Sequence, residues 1–172
     1  MKTAHLFHFI CQILTLDNDA GQKAQIRKAF TSSHVDLDRF IHQASNHLVL
    51  PAIWHKLMDA RLTDLFPEEY QAHMEDVLRL NAQRNTEILE QVFEISYALA
   101  KENIQPVYMK GTGNLLADLY PSSANRMIGD IDFLVQEEDY FKTADFLMNM
   151  GYENQWQSWS SFEEMKHYPR LF

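Results

Sequence analysis

Two acids one residue apart, Asp130 and Asp132, lie in the stretch Gly129-Asp130-Ile131-Asp132-Phe133-Leu134-Val135. The run from Asp130 to Val135 predicts a short β-strand. Alternation along a strand sends both carboxylates to one side and Ile131, Phe133 and Val135 to the other. Carboxylates gathered in this way repel, and each favours protonation of its neighbour unless a cation lies between them. A divalent metal with oxygen ligands suits the position, above all Mg²⁺ (or Mn²⁺) bound together with substrate phosphates.

The elements upstream are those needed to bring an anion to such a metal. Pro106-Val107-Tyr108-Met109 predicts another short strand, which runs into Lys110-Gly111-Thr112-Gly113. Glycine lets backbone approach a bulky anion, and a helix beginning just after it, Asn114 to Tyr120, directs free N–H groups at that anion. The helix stops at Pro121, and Ser122-Ser123-Ala124-Asn125 predicts a loop. The order is strand, glycine turn, helix, loop, and a strand with two acids.

This order resembles the signature of the polymerase-β-like nucleotidyltransferase superfamily, in which a glycine turn precedes an Asp-x-Asp strand. The fuller pattern Lys110-Gly111, Leu119-Tyr120-Pro121, Arg126 and Gly129-Asp130-Ile131-Asp132-Phe133-Leu134-Val135 is more narrowly similar to the bacterial "uncharacterised nucleotidyltransferase" family. Seventeen residues separate Thr112 from Asp130, a spacing that the narrower family shares. The resemblance is strongest from Ile104 to about Tyr152.

It implies a metal-dependent enzyme that transfers a nucleoside monophosphate from a nucleoside triphosphate to a hydroxyl acceptor. Asp130 and Asp132 would hold the Mg²⁺ or Mn²⁺. Gly111 and Thr112 would cradle phosphates through backbone N–H groups and the Thr112 hydroxyl, while Lys110 and Arg126 would supply positive charge. Each residue has a plainer alternative. The acids could form a solvated strand edge near Arg126, Lys110 could simply pair with one of them, and Thr112 could cap the helix that follows.

The superfamily generally uses a third carboxylate from a later strand, and Glu153, Glu163 and Glu164 are poor candidates for it. A fragment whose third acid lies beyond Phe172 is the expectation, because related proteins continue past this point. The acceptor is open between a small molecule, a tRNA end and a protein hydroxyl. The alternative function is a non-catalytic nucleotide-binding or protein-interaction module with the same fold. A helical partner-binding protein, acting through the residues before Asn103, is a further alternative.

Composition bounds these readings. The 172 residues are enough for a real core, and 46% apolar and 12% aromatic content argues against disorder. The net charge of −9 is lopsided. Residues 1–86 carry nine basic and ten acidic groups, whereas residues 87–172 carry six and fourteen. Such a surface disfavours an extended nucleic-acid footprint, which needs Lys and Arg at the phosphates. A lone Cys11 in an apolar helical run reads as a buried thiol, and the N-terminal run is too short and too polar for a signal peptide or a membrane span. A cytoplasmic protein without membrane partners is the expectation.

The architecture expected is α+β: an N-terminal helical region, residues 1–102, packed on a small nucleotidyltransferase-type mixed β-sheet with flanking helices, residues 103–172, truncated at the C-terminus. Helices are predicted over Ala4–Leu16, over Gln22–Phe30, from an Asp36 N-cap, and over Leu48–Leu62, where Trp54 and Met58 share a core-facing side. The break Asp17-Asn18-Asp19-Ala20-Gly21 is a turn, since Lys28 stands where a calcium loop would place its closing glutamate. Scattered histidines (His34, His42, His47, His55, His73) lack metal-ligand spacing.

Pro67 opens a long helix whose stripe of Met74, Val77, Leu78, Ile88, Val92, Ile95 and Leu99 runs to Lys101-Glu102-Asn103. Asn81 and Asn85 fall on that stripe and mark a kink, a helix-helix contact or a polar wall facing the active site. A last amphipathic helix carries Tyr140, Phe141, Ala144, Leu147 and Met148 and is closed by Gly151. Tyr152–Gln155 is a candidate third strand.

Overall fold

A computed structural model describes residues 3–153, apart from Asn18 and Ser33. Four helices come first: α1 (Thr3–Leu14), α2 (Ala20–Thr31), α3 (Leu37–Asn46) and α4 (Leu50–Ala60). Their limits follow local chemistry. Asp19 and Asp36 have extended backbones, and their carboxylates accept from the N–H of Gln22 and Arg39, capping α2 and α3. Arg61 adopts the left-handed conformation that ends α4.

The apolar faces of these helices converge on one core that includes Ile10, Ile13, Phe40, Ile53, Trp54 and Met74. Phe30, Phe40 and Phe66 cluster there with ring centroids 5.0–6.1 Å apart, and Trp54 meets Phe66 edge-on at 5.7 Å. Two sequence expectations shift. Met58 is 37% exposed rather than core, because the side of α4 that carries Trp54 is narrower than its sequence spacing suggests, and Cys11 is only half-buried.

Helix α5 (Glu68–Lys101) is a single element of 34 residues, about 51 Å long at ~1.5 Å per residue. Its stripe serves three neighbours in turn. Met74 lies in the core of α1–α4, Ile88 and Val92 pack with Leu115 and Ile128, and Ile95 and Leu99 pack with Ile104 and Leu147. The chain then turns through left-handed Asn103 (φ +59°) into β1 (Val107–Tyr108), α6 (Lys110–Leu116), β2 (Phe133–Leu134) and α7 (Tyr140–Asn149).

The fold class is α+β, and among the described residues the sheet is a two-stranded antiparallel ribbon pairing Val107 with Leu134 and Tyr108 with Phe133. The predicted strand over Asp130–Val135 is thus shorter as a ladder, but its alternation persists: Ile131, Phe133 and Val135 pack inward against the cluster around Ile95 and Leu99. Tyr152 packs on that cluster and neither it nor Glu153 lies in a strand, while Asn154 and Gln155 of the predicted third strand lie outside the described residues. In α7, Ala144 and Leu147 are buried as the pattern requires, whereas Phe141 is 59% exposed, and Gly151 (φ +101°) follows the helix as its C′ residue.

The ribbon is anchored to α5 by Tyr108. Its hydroxyl donates to the Val92 carbonyl (3.0 Å) and lies 2.7 Å from the Ser96 hydroxyl. Burial pushes the Tyr108 hydroxyl above the ordinary tyrosine range, against the opposing Ser96 hydrogen bond. Because the folded state holds this proton more tightly, its contribution to stability is complete below the usual tyrosine range and disappears as pH rises through the raised value. Denaturation followed between neutral and strongly alkaline pH will show a flatter alkaline decline in Tyr108→Phe than in the wild type. A second expectation concerns close approach. A Cβ on Gly113 would stand 2.7 Å from the Tyr108 carbonyl oxygen, whereas one on Gly129 would meet nothing within 4 Å. Gly113→Ala will cost ~1–3 kcal/mol, seen as a melting midpoint roughly 2–12 °C lower, while Gly129→Ala will stay within about 0.5 kcal/mol of the wild type.

Candidate active site

The glycine turn and the acids meet at one end of the β1–β2 ribbon. Beyond the two ladder pairs, Met109 N–H donates to the Asp132 carbonyl at 2.9 Å, carrying the pairing one step towards the turn. Helix α6 begins at Lys110 itself, so the glycine turn is the first turn of this helix instead of preceding it. The first helical hydrogen bond runs from Gly113 N–H to the Met109 carbonyl (2.9 Å), leaving the N–H groups of Lys110, Gly111 and Thr112 ahead of the ladder. The helix also ends early, at Leu116, and Asp118 turns left-handed before the segment to Pro121.

Lys110 enters this turn with φ +50°, a conformation that costs a non-glycine residue roughly 1–2 kcal/mol. Its Nζ lies 2.8 Å from Asp132 Oδ1, an ion pair with the lysine 69% and the aspartate 23% exposed. A positive charge therefore already stands at one of the two acids. Asp130 is exposed, and its carboxylate has no hydrogen-bond or ion-pair partner among the described residues. Neither acid is paired with Arg126.

Thr112 is fully buried, and its hydroxyl donates to the Asp130 carbonyl at 3.1 Å. The side chain is turned inward, where it fixes the backbone that carries the acid. Gly111 lies against Ile128; a Cβ there would come within 3.2 Å of the isoleucine side chain. The turn and the approach to the acids are thus packed directly on each other.

Arg126 follows the short 3₁₀ turn Ser123–Asn125. Its guanidinium is exposed, but its carbonyl accepts two side-chain amides, Asn81 Nδ2 at 3.0 Å and Asn85 Nδ2 at 2.7 Å. Asn81 also donates to the Ala124 carbonyl (2.6 Å) and Asn85 to that of Ser123. These asparagines do not make the helix-helix contact that the sequence suggested; they grip the loop before the acids instead. The visible signal was two amides four residues apart on an apolar stripe. What a sequence does not carry is the identity of the backbone they reach, some forty residues further along.

The donor set suits a hard cation: two carboxylates beside an anion-sized turn, one of them already neutralised by an ammonium group. Among the described residues no group of three His, Cys, Asp or Glu side chains converges as a metal site, so Asp130 and Asp132 are the acids available. Glu153 is exposed, and Glu163 and Glu164 lie outside the described residues. No described helix is long and apolar enough to cross a membrane.

Comparison with known proteins agrees with the motif. Residues 33–170 match the family described as uncharacterised nucleotidyltransferase. Neither a curated protein nor a solved structure matches the chain. With most of its length matched, and with the Lys110-Gly111 turn and the Asp130–Asp132 stretch adjoining in space, the chain belongs to the uncharacterised nucleotidyltransferase family.

Proposed function

We propose that this protein is a metal-dependent nucleotidyltransferase that moves a nucleoside monophosphate from a nucleoside triphosphate to a hydroxyl acceptor. The observation that carries the reading is the Lys110–Asp132 contact at 2.8 Å beside an exposed Asp130, in a chain of this family. Residues from 103 onwards supply the chemistry and the helical region to residue 102 supports it.

Nucleotidyl transfer needs a triphosphate positioned, its charge balanced and the attacking oxygen placed in line. Asp130 and Asp132 are the residues that would hold Mg²⁺ or Mn²⁺, whose chemistry is to offset phosphate charge and make the acceptor hydroxyl a better nucleophile. The backbone N–H groups of Gly111 and Thr112 face the phosphates, and the Thr112 hydroxyl keeps Asp130 in place. Lys110 balances Asp132 in the free protein, and its ammonium group would also offset charge on a triphosphate held at the turn. Arg126 draws the anion in from solvent and stabilises the departing pyrophosphate. The acceptor is a small molecule, a tRNA end or a protein hydroxyl, since an acidic chain of net charge −9 lacks the basic surface for a long nucleic-acid track.

Titration calorimetry with ATP, CTP, GTP and UTP in Mg²⁺ or Mn²⁺ tests the reading. At least one nucleotide will bind in a metal-dependent way, and Asp130→Asn and Asp132→Asn will each weaken that binding tenfold or more without moving the melting midpoint appreciably. Binding indifferent to both substitutions would remove the site. Metal-dependent binding with no incorporation into any acceptor would favour the non-catalytic nucleotide-binding module. Lys110→Met separates two roles of the lysine: Mn²⁺ alone, followed by electron paramagnetic resonance, will bind several-fold more tightly, while the metal–nucleotide complex will bind less tightly. Equal losses in both measurements would leave Lys110 as a structural ion pair only.

A further inference from the structure

We infer that Asn81 and Asn85 are positioning residues of the site, a conclusion that rests on the nucleotidyl-transfer reading and assigns it two residues from the helical region. Both side chains are buried, with 4% and 0% exposure, on the one stripe of α5 otherwise filled by Met74, Ile88, Val92, Ile95 and Leu99. Four residues apart, they face the same way. Each NH₂ group makes two bonds, so two side chains engage the carbonyls of Ser123, Ala124 and Arg126, three of the four residues of one turn.

The held turn leads straight to the acids. From Arg126 the chain passes to Ile128, which is buried against Gly111, Leu115, Ile88 and Val92. Next, the Asp130 carbonyl accepts the Thr112 hydroxyl and the Asp132 carbonyl accepts Met109 N–H. Among the described residues the attachments after the turn are made to β1, α5, α6 and α7, and the turn itself is hydrogen-bonded by its own Ser122 contacts and by the α5 amides while it also packs against α4. The two amides therefore set where Arg126 stands and the angle at which the chain approaches Asp130. An apolar pair at these positions would fill the stripe equally well but would leave the three carbonyls without donors.

Asn85→Leu keeps the branched four-atom side-chain skeleton and removes the donors, and Asn81→Ala, at the less enclosed position, gives the same reading where Asn85→Leu does not fold. Met74→Ala is the control, since it weakens α5 in the core of α1–α4, about two helical turns before Asn81, and removes no donor from the turn. Hydrogen exchange in the full chain will be at least tenfold faster across residues 122–132 of the asparagine variants and unchanged in α1–α4. Affinity for the Mg²⁺ complex of the nucleotide that the wild type binds best will fall at least tenfold. Met74→Ala, at a comparable loss of melting midpoint, will leave both quantities at wild-type values. Unaltered exchange at 122–132, unaltered affinity beside a loosened turn, or equal effects of Met74→Ala would each overturn the assignment. If the wild type binds none of the four nucleotides, selective loosening of the turn still supports the grip of α5 on it, and only the nucleotidyl reading falls.

Discussion

Irregular backbone buried against the flank of a helix must find donors for its carbonyl oxygens, and a helix has no main-chain N–H to spare there. The segment before the two acids is in that position, with no strand beside it. Helix α5 answers with side-chain amides, the only common neutral groups that carry two donors on a compact stem. Their opposite ends, Asn81 Oδ1 and Asn85 Oδ1, are buried without a partner among the described residues. An unmet buried acceptor costs on the order of 1–3 kcal/mol, so the arrangement is expensive for a device that only fills space.

The long helix thereby joins chemistry to scaffold. A 34-residue helix gains most of its stability from tertiary packing rather than propensity, and this one packs in three successive zones. Its first third belongs to an aromatic-rich helical core, and its last two-thirds carry the ribbon, α6 and α7. A two-stranded ribbon is marginal in isolation; here Tyr108 ties it to the Val92 carbonyl and Phe133 and Val135 sink into the cluster around Leu99. Left-handed residues mark the ends and junctions of elements, Arg61 after α4, Asn103 after α5, Lys110 between ribbon and α6, and Asp118 after α6.

Much of this was legible in the residues. Asp19 was read as part of a turn and Asp36 as a cap, Pro67 announced α5, and the stripe from Met74 to Leu99 gave its length because a helical period sustained over about seven turns has no competing explanation. The apolar alternation at Ile131, Phe133 and Val135 was visible as well, though ladder hydrogen bonds extend over fewer residues than the pattern. Errors clustered where tertiary contacts override local preference. Glycines at 111 and 113 argued for a turn outside the helix, yet the close approach of Gly113 to Tyr108 puts both inside α6. Thr112 looked like a phosphate ligand by residue type, and only the fold shows its hydroxyl facing inward. Pairing of Lys110 with one of the acids was an open alternative in the sequence, and the fold, across 22 residues, selects Asp132 as the partner.

Arg126 combines a fixed root with an unpartnered head. Its carbonyl is locked between two amides, whereas its guanidinium stands in water with no bond to the described residues. A long side chain rooted at a bonded carbonyl keeps its charge within one side-chain length of a held backbone point. In a chain that is acidic overall, a positive charge rooted in this way stays at one place on the surface instead of wandering with a loose loop.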